Sequence, residues 1–344
     1  MKRRIISAAA ILVCAQSAYA GTTWDGGGGN GSWNVPANWT GDTVPPANSF
    51  ITIAPSAQPV MTQNLSGQYE ATGMQINGGT SISGNPIQFI NATITSSLST
   101  AFTFNNNVQL GGASANTIRP TAALSFGNIV FSSLTGGAGG MIVQGDTSLG
   151  LGGGRVIVGS ASYTGPTTVE GKAVLVVNGT TSGQGDYSVL GALAGNGNIN
   201  LAAGKKVSVS GNISPGDAGL PFNPGTMNIT GDLVFNTNGR YFFDGSPTVP
   251  DRVNVSGLVD MSAANDTFFD FTHPNPGSYI VATYGNRLGQ FDNVNIAAGA
   301  QLIYTSAENS GPGQVVLLVP EPACAAASLI ALAALTHPAV RRPR

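Results

Sequence analysis

Val207-Ser208-Val209-Ser210-Gly211-Asn212 holds in six residues a pattern that recurs along this chain. Apolar and hydroxyl side chains alternate with period two, which in an extended strand sends the valines to one face and the serines to the other. Gly211 and Asn212 then supply residue types that tolerate the positive φ of a tight turn. The same alternation marks Ile51-Thr52-Ile53, Met227-Asn228-Ile229-Thr230 and Val253-Asn254-Val255-Ser256. Apolar runs at Val156-Ile157-Val158, Val174-Leu175-Val176-Val177 and Val315 to Val319 predict more deeply buried strands. Turn signals separate them, among them Asn77-Gly78-Gly79, Ser83-Gly84-Asn85-Pro86, Asn178-Gly179, Pro224-Gly225 and Thr230-Gly231-Asp232. No core segment carries an amphipathic 3.6 period over three turns, so the expected fold class is all-β.

Composition supports an ordered chain. Charged residues make up 9% of the sequence, against about 25% in an ordinary domain, and the 48 glycines are about double the usual share. Disordered chains combine high charge with little hydrophobic content, whereas 42% of these residues are hydrophobic. Short strands about ten residues apart fit either a sandwich or a solenoid. The even texture of residues 21–319, without a linker, exceeds a single sandwich of about 100 residues. An elongated parallel β-helix or β-solenoid is therefore expected, with on the order of a dozen rungs at roughly 20–25 residues each.

Tyr163-Thr164-Gly165-Pro166-Thr167-Thr168-Val169, followed by Gly171, Leu175, Val177 and Asn178-Gly179, resembles one copy of the autotransporter-associated β-strand repeat. The likeness continues through Leu193 to Ile199, Ile213-Ser214-Pro215-Gly216, Pro224 to Gly231, Asp251 to Gly257, Gly277 to Val281 and Gly289-Gln290-Phe291, and covers about 155–319. It implies a β-solenoid passenger. Pro166 replaces the small residue more often seen there, and the Pro-Glu-Pro tail stands where a membrane-barrel domain would follow, so autotransport is not expected. A repeat of this kind names an architecture and no chemistry.

The two ends read as addresses. Lys2-Arg3-Arg4, the apolar Ile5 to Val13 and the small-x-small site Ala18-Tyr19-Ala20 predict a secretory signal peptide over 1–20, a signal helix handled by the Sec export machinery and signal peptidase, with Gly21 first after cleavage. At the other end come Pro320-Glu321-Pro322, a 13-residue apolar run from Ala323 to Leu335, and the basic Arg341, Arg342 and Arg344. The run is short for the roughly 20 residues of a membrane-crossing helix. In this order, the parts over 320–344 resemble the PEP-CTERM sorting tail, whose short apolar helix is held in the membrane while an exosortase reads the Pro-Glu-Pro motif. The resemblance implies an exosortase-like partner, cleavage close to Pro322, and a C-terminus kept on the cytoplasmic side by its arginines. The expected location is export, transient holding at the inner membrane, then the cell surface or the extracellular space.

Several function classes fall away. Both cysteines, Cys14 and Cys324, lie in the terminal segments, so residues 21–319 offer no disulfide and no cysteine metal site. That stretch keeps eight of the 14 basic residues and 15 of the 16 acidic ones, a net charge near −7 without a basic patch. Nucleic-acid binding, which needs clustered Lys and Arg, is not expected. Gly26-x-Gly28-x-x-Gly31 has dinucleotide-binding spacing but neither the preceding strand nor the following helix. Gly28-Gly29-Asn30-Gly31 and Gly195-Asn196-Gly197-Asn198 lack the aspartate of a calcium nonapeptide repeat. No metal and no cofactor is expected.

Trp24, Trp33 and Trp39 gather all three tryptophans within 16 residues. Exposed, they would stack on sugar rings; buried, they would cap the open end of a solenoid, whose first coil has no neighbour on one side. His273 is the single histidine of residues 21–319 and lies in a proline-flanked segment, which argues against histidine or cysteine triads. Eight aspartates fall between Asp217 and Asp292. Asp266 and Asp270 would lie about 13 Å apart along one strand, beyond the separation glycoside hydrolysis needs, although stacking of adjacent rungs would bring other pairs closer. Turns offer Asp232, Asp244, Asp251 and Asp292 another use, since their carboxylates bond nearby backbone amides. The expectation is a non-enzymatic structural or adhesive component of the surface or matrix, touching exopolysaccharide. Its alternatives are a glycan-binding module or a β-helix polysaccharide lyase or hydrolase.

Overall fold

The computed structural model describes residues 22–56, 58–121, 127–145, 154–216, 224–245, 250–270, 275–306 and 312–321. The expected signal helix and C-terminal apolar helix lie outside these residues. Among the described residues the fold is all-β, with 28 strands and a single 3₁₀ turn, Pro36–Asn38, as its helical element.

Register reveals how the chain winds. Thr22 pairs with Ile51, Ile51 with Met74, Met74 with Ile94, Ile94 with Ile118 and Ile118 with Val143, always between parallel strands. The column runs on through Val169, Val189, Val209 and Phe235. Leu233↔Val259↔Arg287 carries the stacking further, giving twelve levels separated by 20 to 29 residues. A ring of parallel strands that stacks on itself in this way is consistent with a β-solenoid. Coil length is less uniform than the sequence suggests, because loops of different size leave at the corners while the strands keep register.

Each coil has three sides. From residue 167 onward they are separate short strands, such as Tyr187–Val189, Ala192–Gly195 and Asn198–Leu201, which lie on Thr167–Val169, Val174–Val177 and Thr180–Gln184 of the coil before. Earlier in the chain one long strand turns a corner by itself: Ile87–Ser96 pairs its first half with Val108 to Gly111 and its second half with Thr117 to Pro120. Asn91, at φ 48°, takes the bend. Burial alternates along nearly every strand, with Ile, Val and Phe inside and Thr, Ser and Asn outside. The interior is one continuous apolar column from Trp24 to Val319. Corners are tight enough to demand glycine. A Cβ on Gly179 would collide with the carbonyl oxygen of Gly159 one coil below.

Winding stops before the chain does. Gly277–Gly289 is the last long parallel strand, and Gly313–Val319 then returns antiparallel to it, with Gln301–Tyr304 antiparallel on its other side. Parallel stacking is thus not kept to residue 319. A final coil would leave a row of unpaired N–H and C=O groups, and the returning strand satisfies those of residues 277–284.

Candidate functional site

Three places gather the residues singled out in the sequence: the N-terminal end, the aspartates of the last coils and the outward polar side chains. At the N-terminal end the three tryptophans meet edge to face. Ring centroids are 5.3 Å apart for Trp24–Trp39, 5.2 Å for Trp33–Trp39 and 5.5 Å for Trp33–Tyr69, the geometry the aromatic quadrupole favours. Exposure is 0% for Trp24 and Trp33 and 1% for Trp39. None of the rings therefore presents a face on which a sugar could stack, which removes the geometric basis for the glycan-contact reading. Trp39 Nε1 donates to the Trp33 carbonyl at 2.8 Å, while the indole N–H groups of Trp24 and Trp33 are buried without a partner.

Asn38, which the sequence reading passed over, organises this end. Its Oδ1 accepts from the Gly28 amide at 2.9 Å, its Nδ2 donates to Asn30 Oδ1 and to the Ser32 carbonyl, and its own carbonyl accepts from Asp25 and Gly26. The residue is fully buried. Its only sequence signal was its place beside Trp39 after a proline.

Stacking does bring aspartates together, but around backbone amides. Asp251 accepts from the Gly225 amide at 2.8 Å and the Asp244 amide at 2.9 Å. Burial pushes its carboxyl up to about 8 against the pull of those two donors. Asp266 Oδ1 accepts from the Asp292 amide at 2.7 Å, and Asp292 in turn accepts from Asn265. Burial pushes Asp266 up to about 6; the Asp292 amide pulls back and the charges of Asp292 and Asp260 add to the rise. Its Oδ2 has no hydrogen-bond partner. Asp232, inside a strand rather than at a turn, accepts from the Leu258 amide one coil on. Most of these bonds link coils instead of closing local turns. The fixed offset of about one coil is what sequence spacing could not reveal. Asp217 and His273 lie outside the described residues.

Among the described residues no ligand chemistry converges elsewhere. Among the described residues no group of three or more His, Cys, Asp or Glu side chains forms a metal site. A pocket between Leu233, Phe235, Val259, Met261 and Phe291 is lined by apolar side chains and lacks the placed polar groups that orient a ligand.

Outward, one face carries a continuous ladder. Asn198 Nδ2 donates to Thr180 Oγ1 at 3.2 Å, Asn228 to Asn198 Oδ1 at 2.8 Å, Asn254 to Asn228 Oδ1 at 2.8 Å, and Thr283 Oγ1 to Asn254 Oδ1 at 2.8 Å. Beside it Thr230 Oγ1 donates to Asn200 Oδ1. Each asparagine of the ladder spends half of its bonding capacity on its neighbours and retains one N–H and one lone pair for solvent or a ligand.

Pro320 and Glu321 follow the last strand as non-strand chain, Glu321 exposed. Pro322, Arg341, Arg342, Arg344, Ala18 and Ala20 lie outside the described residues. Compared with known proteins, the chain matches no family model and no curated protein.

Proposed function

We propose that this chain is an exported, non-enzymatic structural or adhesive protein of the cell surface or extracellular matrix, an elongated β-solenoid delivered by its two ends. Residues 1–20 direct it through the Sec route, and an exosortase-like enzyme reads Pro320-Glu321-Pro322 while the apolar run and the arginines of the tail hold the C-terminus at the membrane. The body acts passively as a stiff stack whose outward Asn, Thr and Ser side chains make many weak hydrogen bonds to polymers such as exopolysaccharide. The observation that carries this reading is the Thr180–Asn198–Asn228–Asn254–Thr283 ladder, which orders polar groups at the strand spacing of about 4.8 Å. The carboxylates add support, since Asp232, Asp251 and Asp292 are engaged by amides.

The deciding experiment is the intact mass of the protein recovered separately from the membrane and extracellular fractions of its host. A species that begins at Gly21 and ends near Pro322, outside the membrane, is expected. A full-length C-terminus retained in the membrane would overturn the sorting part of the proposal.

A carbohydrate-active enzyme is the second reading, and Asp266 favours it: a buried carboxyl raised to about 6, beside Asp292, has the character of a general acid. Polysaccharide cleavage that survives purification and disappears in Asp266→Asn would select this reading over the passive one.

A further inference from the structure

Gln301–Tyr304 is an edge. Among the described residues it pairs with Gly313–Val319 on one side and with no strand on the other. The Thr305 amide donates to the Gln314 carbonyl at 2.9 Å, and antiparallel pairs alternate between bonded and non-bonded. Residues 305, 303 and 301 therefore bond to the returning strand, and Leu302 and Tyr304 turn their N–H and C=O groups to the open side. The edge holds no lysine and no proline, the residues by which natural edges are protected. Beside it the outer face is apolar: Val316 pairs with Ile280 and Ile303, and Leu318 with Ser278 and Gln301, and paired residues share a face. Ile303 is 41% exposed and Leu318 40%, and residues 277–284, 301–304 and 313–319 include no charged side chain. The other end of the stack offers no matching edge, because the Thr23 carbonyl is bonded by the Thr40 amide and Thr62 by Gly31 and Trp33. Head-to-tail growth thus meets a covered surface, whereas an antiparallel edge can pair with itself about a two-fold axis, a contact that closes.

We infer that this edge is the seam of a homodimer, in which Gln301–Tyr304 pairs antiparallel with the same strand of a second copy. Hydrogen bonding selects the register. With Ile303 opposite its own counterpart, Leu302 of each copy lies opposite Tyr304 of the other, and every outward amide of the two strands meets an outward carbonyl. Shifting the register by two residues in either direction carries Leu302 or Tyr304 past the end of the opposing strand. Charge points the same way. Residues 21–319 carry a net charge near −7, so two copies repel over most of their surface and can approach at the uncharged patch. The seam is short and buries less than the roughly 1,200 Å² of a stable interface, which makes the dimer weak at dilution and favoured where chains are crowded. The inference goes beyond the proposed function and is independent of sorting.

Disulfide trapping tests it in the full chain carrying Cys14→Ser and Cys324→Ser, held in a mild detergent with diamide as oxidant. Ile303→Cys lies on the two-fold axis at a non-hydrogen-bonded pair, where Cα atoms approach to about 4.5 Å, within reach of a disulfide. Leu318→Cys, on the same face, would stand about 20 Å from its counterpart, and Leu190→Cys is an exposed site on another part of the stack. Ile303→Cys is expected to form the linked dimer about tenfold faster than either reference, at a rate that rises with protein concentration. A rate for Ile303→Cys no greater than the references would overturn the inference, and faster linking through Leu318→Cys would overturn it in favour of patches packed face to face. An Ile303→Cys chain that stays monomeric when purified but forms a mixed disulfide with another protein in its host would overturn it too, giving the edge to a foreign strand. Sorting is read by mass in the host and pairing by trapping in vitro, so either can fail alone.

Discussion

The two ends of the stack solve one problem by different means. At the first coil the exposed face of the interior column is filled by side chains, three tryptophans held edge to face over Tyr69 and clasped by a loop that hangs on Asn38. At the last coil it is covered by backbone, a strand that reverses and pairs antiparallel with Gly277–Gly289. An aromatic plug buries much area but leaves two indole N–H groups unpartnered, whereas the returning strand satisfies hydrogen bonds but produces an apolar outer patch. Closing a solenoid with side chains leaves unsatisfied polar atoms inside; closing it with a strand moves apolar surface outside.

The largest test of that contrast is Trp33→Ala. Removing a buried tryptophan should cost about 3–5 kcal/mol, and because each coil contacts only its neighbours the loss should appear in hydrogen exchange as opening of residues 22–76 while the amides of 198–261 keep their protection. Asn38→Ala should follow at about 2–3 kcal/mol, since the Gly28 amide loses its buried acceptor; a denaturant midpoint that does not move would place the weight of this end on the rings alone. At the opposite end, Tyr284 OH donates to the Thr305 carbonyl at 2.5 Å and lies 3.2 Å from that of Gln314. Tyr284→Phe should cost about 1–1.5 kcal/mol and raise exchange in 301–319, leaving the tryptophan end unchanged. An equal effect at both ends would mean that the stack melts as one unit.

A pH dependence confined to the C-terminal half is expected as well. The Asp266 carboxyl is raised in the fold to about 6, so between about pH 4 and 6 the folded state keeps a proton the unfolded chain has lost, and stability falls as pH rises. Asp251, raised to about 8, extends the same sign to higher pH. The melting midpoint should decline from pH 4 to pH 7 and decline less in Asp266→Asn; a midpoint that rises over this range would contradict the placement of both carboxyls.

How much of this was legible follows from what period two encodes. Alternation in Val207 to Ser210 or Val253 to Ser256 fixes which side chains face in, and the structure keeps each of those assignments. Register from coil to coil is not encoded locally, because the loops vary the step from 20 to 29 residues. That is why Asn198, Asn228 and Asn254 could not be seen as one ladder, nor Asp266 and Asp292 as neighbours. The fate of Trp24, Trp33 and Trp39 was ambiguous for another reason: glycine and asparagine surround them, and neither indicates whether a loop folds inward. Val315 to Val319 was readable as a strand, but it is buried on one face only, with Leu318 exposed, and its reversal was not readable, since an apolar run looks the same in either direction.

The asparagine ladder also has a sense. Thr283 donates to Asn254, Asn254 to Asn228, Asn228 to Asn198 and Asn198 to Thr180, so every donor points toward the first coil. Side-chain dipoles aligned head to tail polarise one another. One flank of the molecule therefore carries a row of aligned dipoles, with the Thr283 oxygen still able to receive a hydrogen bond and the Thr180 hydroxyl still able to give one. The two ends of the ladder thus differ in what they offer: an acceptor at Thr283 and a donor at Thr180.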